Sequence, residues 1–121
     1  MASHFAGELV GKFKKERLPL PAIALNDLAI ITAIANDYGY FQVFRRQVEA
    51  HGKKGDILIT LSTSGNSANI LWAENKAKEL GMVVVTFPTN RETGKDTAGT
   101  QEEHLKLIHQ VCSIIEERMF G

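Results

Sequence analysis

The 121-residue chain has one cysteine, three prolines, one tryptophan and no excess of either charge. A lone Cys112 excludes an internal disulfide framework and a Cys-rich zinc module, and so little cysteine suits a reducing, cytoplasmic setting. Fourteen Lys plus Arg offset fourteen Asp plus Glu, so the electrostatic footprint of a nucleic-acid or anionic-membrane binder is missing. No run reaches the ~18–20 apolar residues of a bilayer span. Met1-Ala2-Ser3-His4-Phe5 has neither the basic start nor the apolar core of a signal peptide. What is present is 44% hydrophobic residues, enough for the core of one domain and too many for a disordered chain.

Apolar spacing predicts a helix over 3–17, with Ser3 as N-cap and Phe5, Leu9 and Phe13 on one face. Its basic residues Lys12, Lys14, Lys15 and Arg17 read as a solvated face. Leu18-Pro19-Leu20-Pro21 ends it. Ala22–Leu25 reads as a short buried strand. Asn26 or Asp27 would cap a helix over 28–34, and 36–39 reads as a loop. A helix over 40–50 carries Phe41, Phe44 and Val48. Asp56–Leu61 is a near-continuous apolar strand of the kind covered on both faces. After the loop Ser62–Ser67 come a helix to Leu80, with Trp72 packed, and a second buried strand, 82–87. That is a βαβ crossover. Residues 88–99 read as a loop, and 100–119 as a long helix with Leu105, Ile108, Val111 or Cys112, and Ile115 inward. The class is α/β, in one domain.

Three sets of residues can carry chemistry. Ser62-Thr63-Ser64-Gly65-Asn66-Ser67 crowds hydroxyls and amides at the carboxyl end of a strand and the start of a helix, where open α/β sheets bind anions. It lacks the Gly-Lys-Ser/Thr of a Walker loop, and phosphate binding is the favoured reading over a polar turn. His4 and Glu8 stand at i and i+4, so they can share a metal ion or act as an acid/base pair; by itself the spacing fits an exposed polar pair better. Gln101 and His109 lie about 80° apart around their helix, with His104 well round from His109; taken alone that helix reads as a solvated face. A nitrogen and oxygen set of this kind suits zinc or a similar divalent ion, but periodicity does not bring the two helices together.

Gly55–Ser67 resembles the core of a sugar isomerase (SIS) domain. His4–Leu9, Leu18–Leu25, Thr32–Tyr40 and Gln101–His104 narrow the resemblance to the phosphoheptose isomerases. The resemblance implies a three-layer α-β-α sandwich of flavodoxin-like type with a mostly parallel sheet, and a cytoplasmic homotetramer with active sites between subunits. It also implies conversion of sedoheptulose 7-phosphate to D-glycero-D-manno-heptose 7-phosphate for lipopolysaccharide or surface glycans. Ser62, Ser64 and Ser67, with Thr63 beside them, fall on the family's phosphate contacts. Asp27 and Gln101 fall on substrate contacts, Glu8 on a catalytic acid/base and His109 on its partner. His4, Glu8, Gln101 and His109 fall on the ligands of one zinc ion per subunit, and Lys12 stands where the family commonly has Arg. The family has a helix, a strand and a Gly/Ser-rich loop before the position of His4, and a further strand before the last helix. The chain is therefore expected to be an SIS domain shortened at its start and around 88–99. The competing reading is a non-catalytic SIS protein that binds a sugar phosphate or the bacterial replication initiator. The initiator-binding paralogue lacks the Glu and the final-helix His, whereas Glu8 and His109 are both present here.

Overall fold

A computed structural model describes residues 1–121. Its elements are α1 (Ala2–Val10), α2 (Leu28–Tyr38), a 3₁₀ turn (Tyr40–Gln42), α3 (Arg45–His51), β1 (Ile57–Thr60), α4 (Ala68–Glu79), β2 (Val83–Thr86), α5 (Asn90–Thr93) and α6 (Thr97–Phe120). The two strands pair in parallel, with Ile57 opposite Val83 and Thr60 opposite Thr86. Alternation along a strand sends neighbouring side chains to opposite faces. Leu58 and Val84 accordingly join Val48, Ala73 and Ala77 beneath α3 and α4. Ile59 and Leu61 turn the other way, to Phe5, Phe87, Ile108 and Cys112 beneath α1 and α6. Helices thus cover both faces of a parallel sheet, the three-layer α-β-α order expected.

Several elements differ from the sequence reading. Ala22–Leu25 belongs to no strand, since the sheet holds only β1 and β2. A strand needs a neighbour's ladder; here Leu25 packs into the α3–α4 cluster and its carbonyl accepts from Gln47 Nε2. The first helix ends at Val10, not Arg17. The amides of Phe13, Lys14 and Lys15 donate to the Glu116 carboxylate instead of to their own helix. The basic run is therefore not one solvated helix face, and the Arg17 side chain is 1% exposed. Met1 occupies the N-cap position, and Ser3 Oγ instead accepts from Asn26. α2 continues through Tyr38 to Gly39, whose φ of 102° suits only glycine. The helix expected over 40–50 splits into the 3₁₀ turn and α3. The loop after β2 contains α5, held by a capping box between Thr89 and Glu92. Trp72 packs edge-on against Phe41, with 41% of its surface left exposed.

α6 buries Thr100, His104, Ile108, Cys112 and Glu116, an i, i+4 stripe on one side of the helix. Leu105 lies outside it and is exposed. Three of the five are polar and partnered: Thr100 with Thr93 Oγ1, His104 with the Pro88 carbonyl, and Glu116 with the 13–17 segment.

Candidate active site

α1 and α6 meet at three side chains. His4 Nε2 lies 2.7 Å from Glu8 Oε1, and His109 Nε2 lies 3.4 Å from the same oxygen. The two imidazole nitrogens are 3.3 Å apart. The helical spacing of His4 and Glu8 points both off one face of α1. Phe5, between them, is driven into the sheet with Cys112 and so presses α1 onto α6. The Phe13 ring stacks on His109 with centroids 5.4 Å apart. Glu8 Oε2 accepts a weak bond from Cys112 Sγ. Burial, reinforced by the bond to Glu8, pushes the Cys112 thiol up to about 12. Cys112 is a core residue, as its apolar neighbours suggested.

These three ligand atoms lie within 4.8 Å of one another. A tetrahedral ion with nitrogen and oxygen ligands at about 2.0–2.1 Å would hold its ligand atoms roughly 3.3–3.4 Å apart. Two of the three separations already match that edge, so His4, Glu8 and His109 could hold a divalent ion with little movement. Gln101 is exposed on α6, eight residues before His109. Lys12 reaches Glu16 rather than the triad.

The Ser loop lies between β1 and α4. Gly65 N–H donates to Ser62 Oγ and Asn66 N–H to Ser64 Oγ, at 2.9 and 3.1 Å. Ser67 is the N-cap of α4, but its hydroxyl caps no amide, which leaves it for a ligand at the positive end of the helix. Gly65 has φ 73°, and a Cβ there would come within 2.8 Å of Thr89 Cγ2. The loop is also tied to the next crossover by the Asn90 N–H, which donates to the Thr63 carbonyl. Ser62, Gly65 and Thr89 line a cavity of about 190 Å³ together with Thr60 and Glu74. Thr60 Oγ1 donates to Glu74 Oε2 at 2.8 Å. Neither residue stood out in the sequence; Glu74 lies nearly two turns past the start of an ordinary polar helix. Leu61, which precedes the loop, packs in the same cluster as Phe5 and Cys112, so one core anchors both the hydroxyl loop and the triad. Asp27 is the N-cap of α2, accepting from Ile30 N–H at 3.2 Å.

Fold and site define a class. The family model described as "SIS domain" matches residues 1–88, and the chain belongs to that family. Among its relatives, a phosphoheptose isomerase of Helicobacter pylori is 50% identical over 130 aligned positions, covering 95% of this chain and 67% of the relative. A phosphoheptose isomerase of Clostridium acetobutylicum is 44% identical, covering 99% of this chain and 68% of the relative. A solved phosphoheptose isomerase from Francisella tularensis superposes with a TM-score of 0.84 at 39% identity, covering 96% of this chain and 70% of that one. Within the SIS domains, it is the phosphoheptose isomerases that the chain joins. It spans about two-thirds of their length. The 130 aligned positions take in 95% of its 121 residues, about 115, so about fifteen positions of the Helicobacter protein have no counterpart here.

Proposed function

We propose that this chain is a sugar-phosphate isomerase acting on sedoheptulose 7-phosphate, with Glu8 and His109 as its acid/base pair. The observation that carries the reading is the convergence of His4 and Glu8 from α1 with His109 from α6. Relatives of 44–50% identity bear the name phosphoheptose isomerase.

Aldose–ketose isomerisation moves two hydrogens without net redox change. One general base removes a proton from C1 of the ketose while an acid protonates the C2 oxygen, giving an enediol. The O1 proton then leaves as C2 receives one, and the aldose results. Glu8 is assigned the carbon-bound proton and His109, in contact with it, the oxygen-bound one. Ser62, Thr63, Ser64 and Ser67, with the amides opening α4, would bind the phosphate at the far end of the sugar and so orient the reacting carbons. Asp27 and Gln101 would contact the sugar. A zinc ion held by His4, Glu8, His109 and Gln101 would supply a Lewis acid at the carbonyl. Product heptose phosphate would serve lipopolysaccharide or surface glycans, in the cytoplasm.

A homotetramer fits the surface. α2 has no buried residue, yet carries Leu28, Ile30 and Tyr38, all exposed. His4 and His109 are close to half exposed, so a neighbouring subunit could close the site. A non-catalytic, initiator-binding role is not favoured, because both acid/base residues are present and in contact.

Glu8→Gln tests the assignment. Turnover should fall by at least about 10²-fold with KM for the sugar phosphate held within a few-fold. Wild-type kcat in this variant would overturn it.

A further inference from the structure

Arg17 and Glu116 form the most enclosed ion pair of the molecule, with side chains 1% and 2% exposed. Neither belongs to the triad, yet both are bonded to what carries it. Arg17 Nη2 donates to the carbonyl of Glu8 itself, at 2.6 Å. Arg17 Nη1 donates to the Leu9 and Gly11 carbonyls, both at 2.8 Å. The guanidinium thus caps the C-terminal end of α1, a nine-residue helix too short to persist unaided. Its Nε donates to Glu116 Oε2 at 3.0 Å. Glu116 sits seven residues after His109, two turns along nearly the same line of α6. Its carboxylate also takes the amides of Phe13, Lys14 and Lys15, which places the Phe13 ring on His109.

We propose that Arg17 and Glu116 are positioning residues for the reaction: a clamp that sets Glu8 on α1 against His109 on α6. The inference rests on the acid/base reading of that pair. A fork of five donors is what the clamp uses; Arg17 meets the carbonyls of Glu8, Leu9, Gly11 and Leu18 and the Glu116 carboxylate, in different directions. Lysine keeps the charge and cannot make those bonds together. Cores elsewhere would still dock the two helices, since Phe5, Ile108 and Cys112 remain packed. Loss of the clamp therefore loosens the register of two side chains rather than dissolving the fold. A displacement of about 1 Å between reacting groups can cost about 10²-fold in rate.

The test is steady-state kinetics of the full chain with sedoheptulose 7-phosphate, for Arg17→Lys and Glu116→Gln. Each is assayed well below its own unfolding midpoint, with the folded fraction fixed by circular dichroism. The expected result is a fall in kcat of about 10- to 100-fold per folded enzyme, with KM within about threefold. The Ser loop, to which phosphate binding is assigned above, is untouched. On a Glu8→Gln background Arg17→Lys should cost almost nothing further, because a residue that acts through Glu8 has nothing left to position. Wild-type kcat per folded enzyme in both variants, or full additivity with Glu8→Gln, overturns the clamp. Should one variant be unfolded, the other decides. Wild-type activity in Glu8→Gln alone would instead sink the acid/base reading.

Discussion

Glu116 is the side chain on which the structure departs furthest from its sequence context. It stands in a run of two glutamates and an arginine near the chain end, the pattern of a solvated helix tail. It is buried all the same. Burial pushes its carboxyl up, and the amides of Lys14, Phe13 and Lys15 with the Arg17 guanidinium more than reverse this, leaving it at about 2 against an ordinary 4.5. A depressed folded-state value means the stabilisation is fully present above about pH 4.5 and is lost as pH falls towards 2. The unfolding midpoint should therefore drop between about pH 5 and pH 2, and Glu116→Gln should flatten that part of the profile. A profile identical to wild type would remove Glu116 from the acid transition. Gly65 makes a second case at this scale. Its φ of 73° and the nearby Thr89 methyl leave no room for a side chain. Gly65→Ala should cost about 1 kcal/mol in stability and raise KM for the sugar phosphate several-fold. An unchanged KM would separate the loop from phosphate binding.

At the scale of elements, the helices and strands with regular apolar spacing were legible, and those set by distant partners were not. β1, α4 and β2 follow from apolar runs broken by Gly81 and the Ser loop. The end of α1 does not, because the amides that a helix would use locally go to a carboxylate about a hundred residues away. Ala22–Leu25 has the composition of a strand and no ladder to join. The same limit applies to the site. His4 and Glu8 share a face by spacing alone, but their meeting with His109 depends on packing between α1 and α6, which periodicity does not encode. Only the family resemblance joined them in advance. Glu74, Thr60 and the Arg17–Glu116 pair were missed because each looks like an ordinary polar residue until its partner is seen. On α6 the apolar pattern finds Ile108 and Cys112, but not the buried polar Thr100, His104 and Glu116 that complete the stripe, and it wrongly adds Leu105.

For the whole molecule, the unusual feature is apolar surface. α2 exposes Leu28 and Ile30, and the sheet leaves Ile57 and Val83 uncovered; patches of this kind mark association surfaces. Sedimentation should show an oligomer at micromolar concentration, and Leu28→Lys with Ile30→Lys should shift it to smaller species. A monomeric wild type would contradict the tetramer proposal. No helix is long and apolar enough to cross a membrane. α1 and α6 are proposed to form together an isomerase centre that can hold a metal. Its most direct test is an assay of this chain with sedoheptulose 7-phosphate, run as purified, after chelation, and after adding zinc back. Formation of the aldoheptose 7-phosphate is expected, with loss or strong reduction on chelation and recovery with zinc. Absence of turnover in all three states would contradict it.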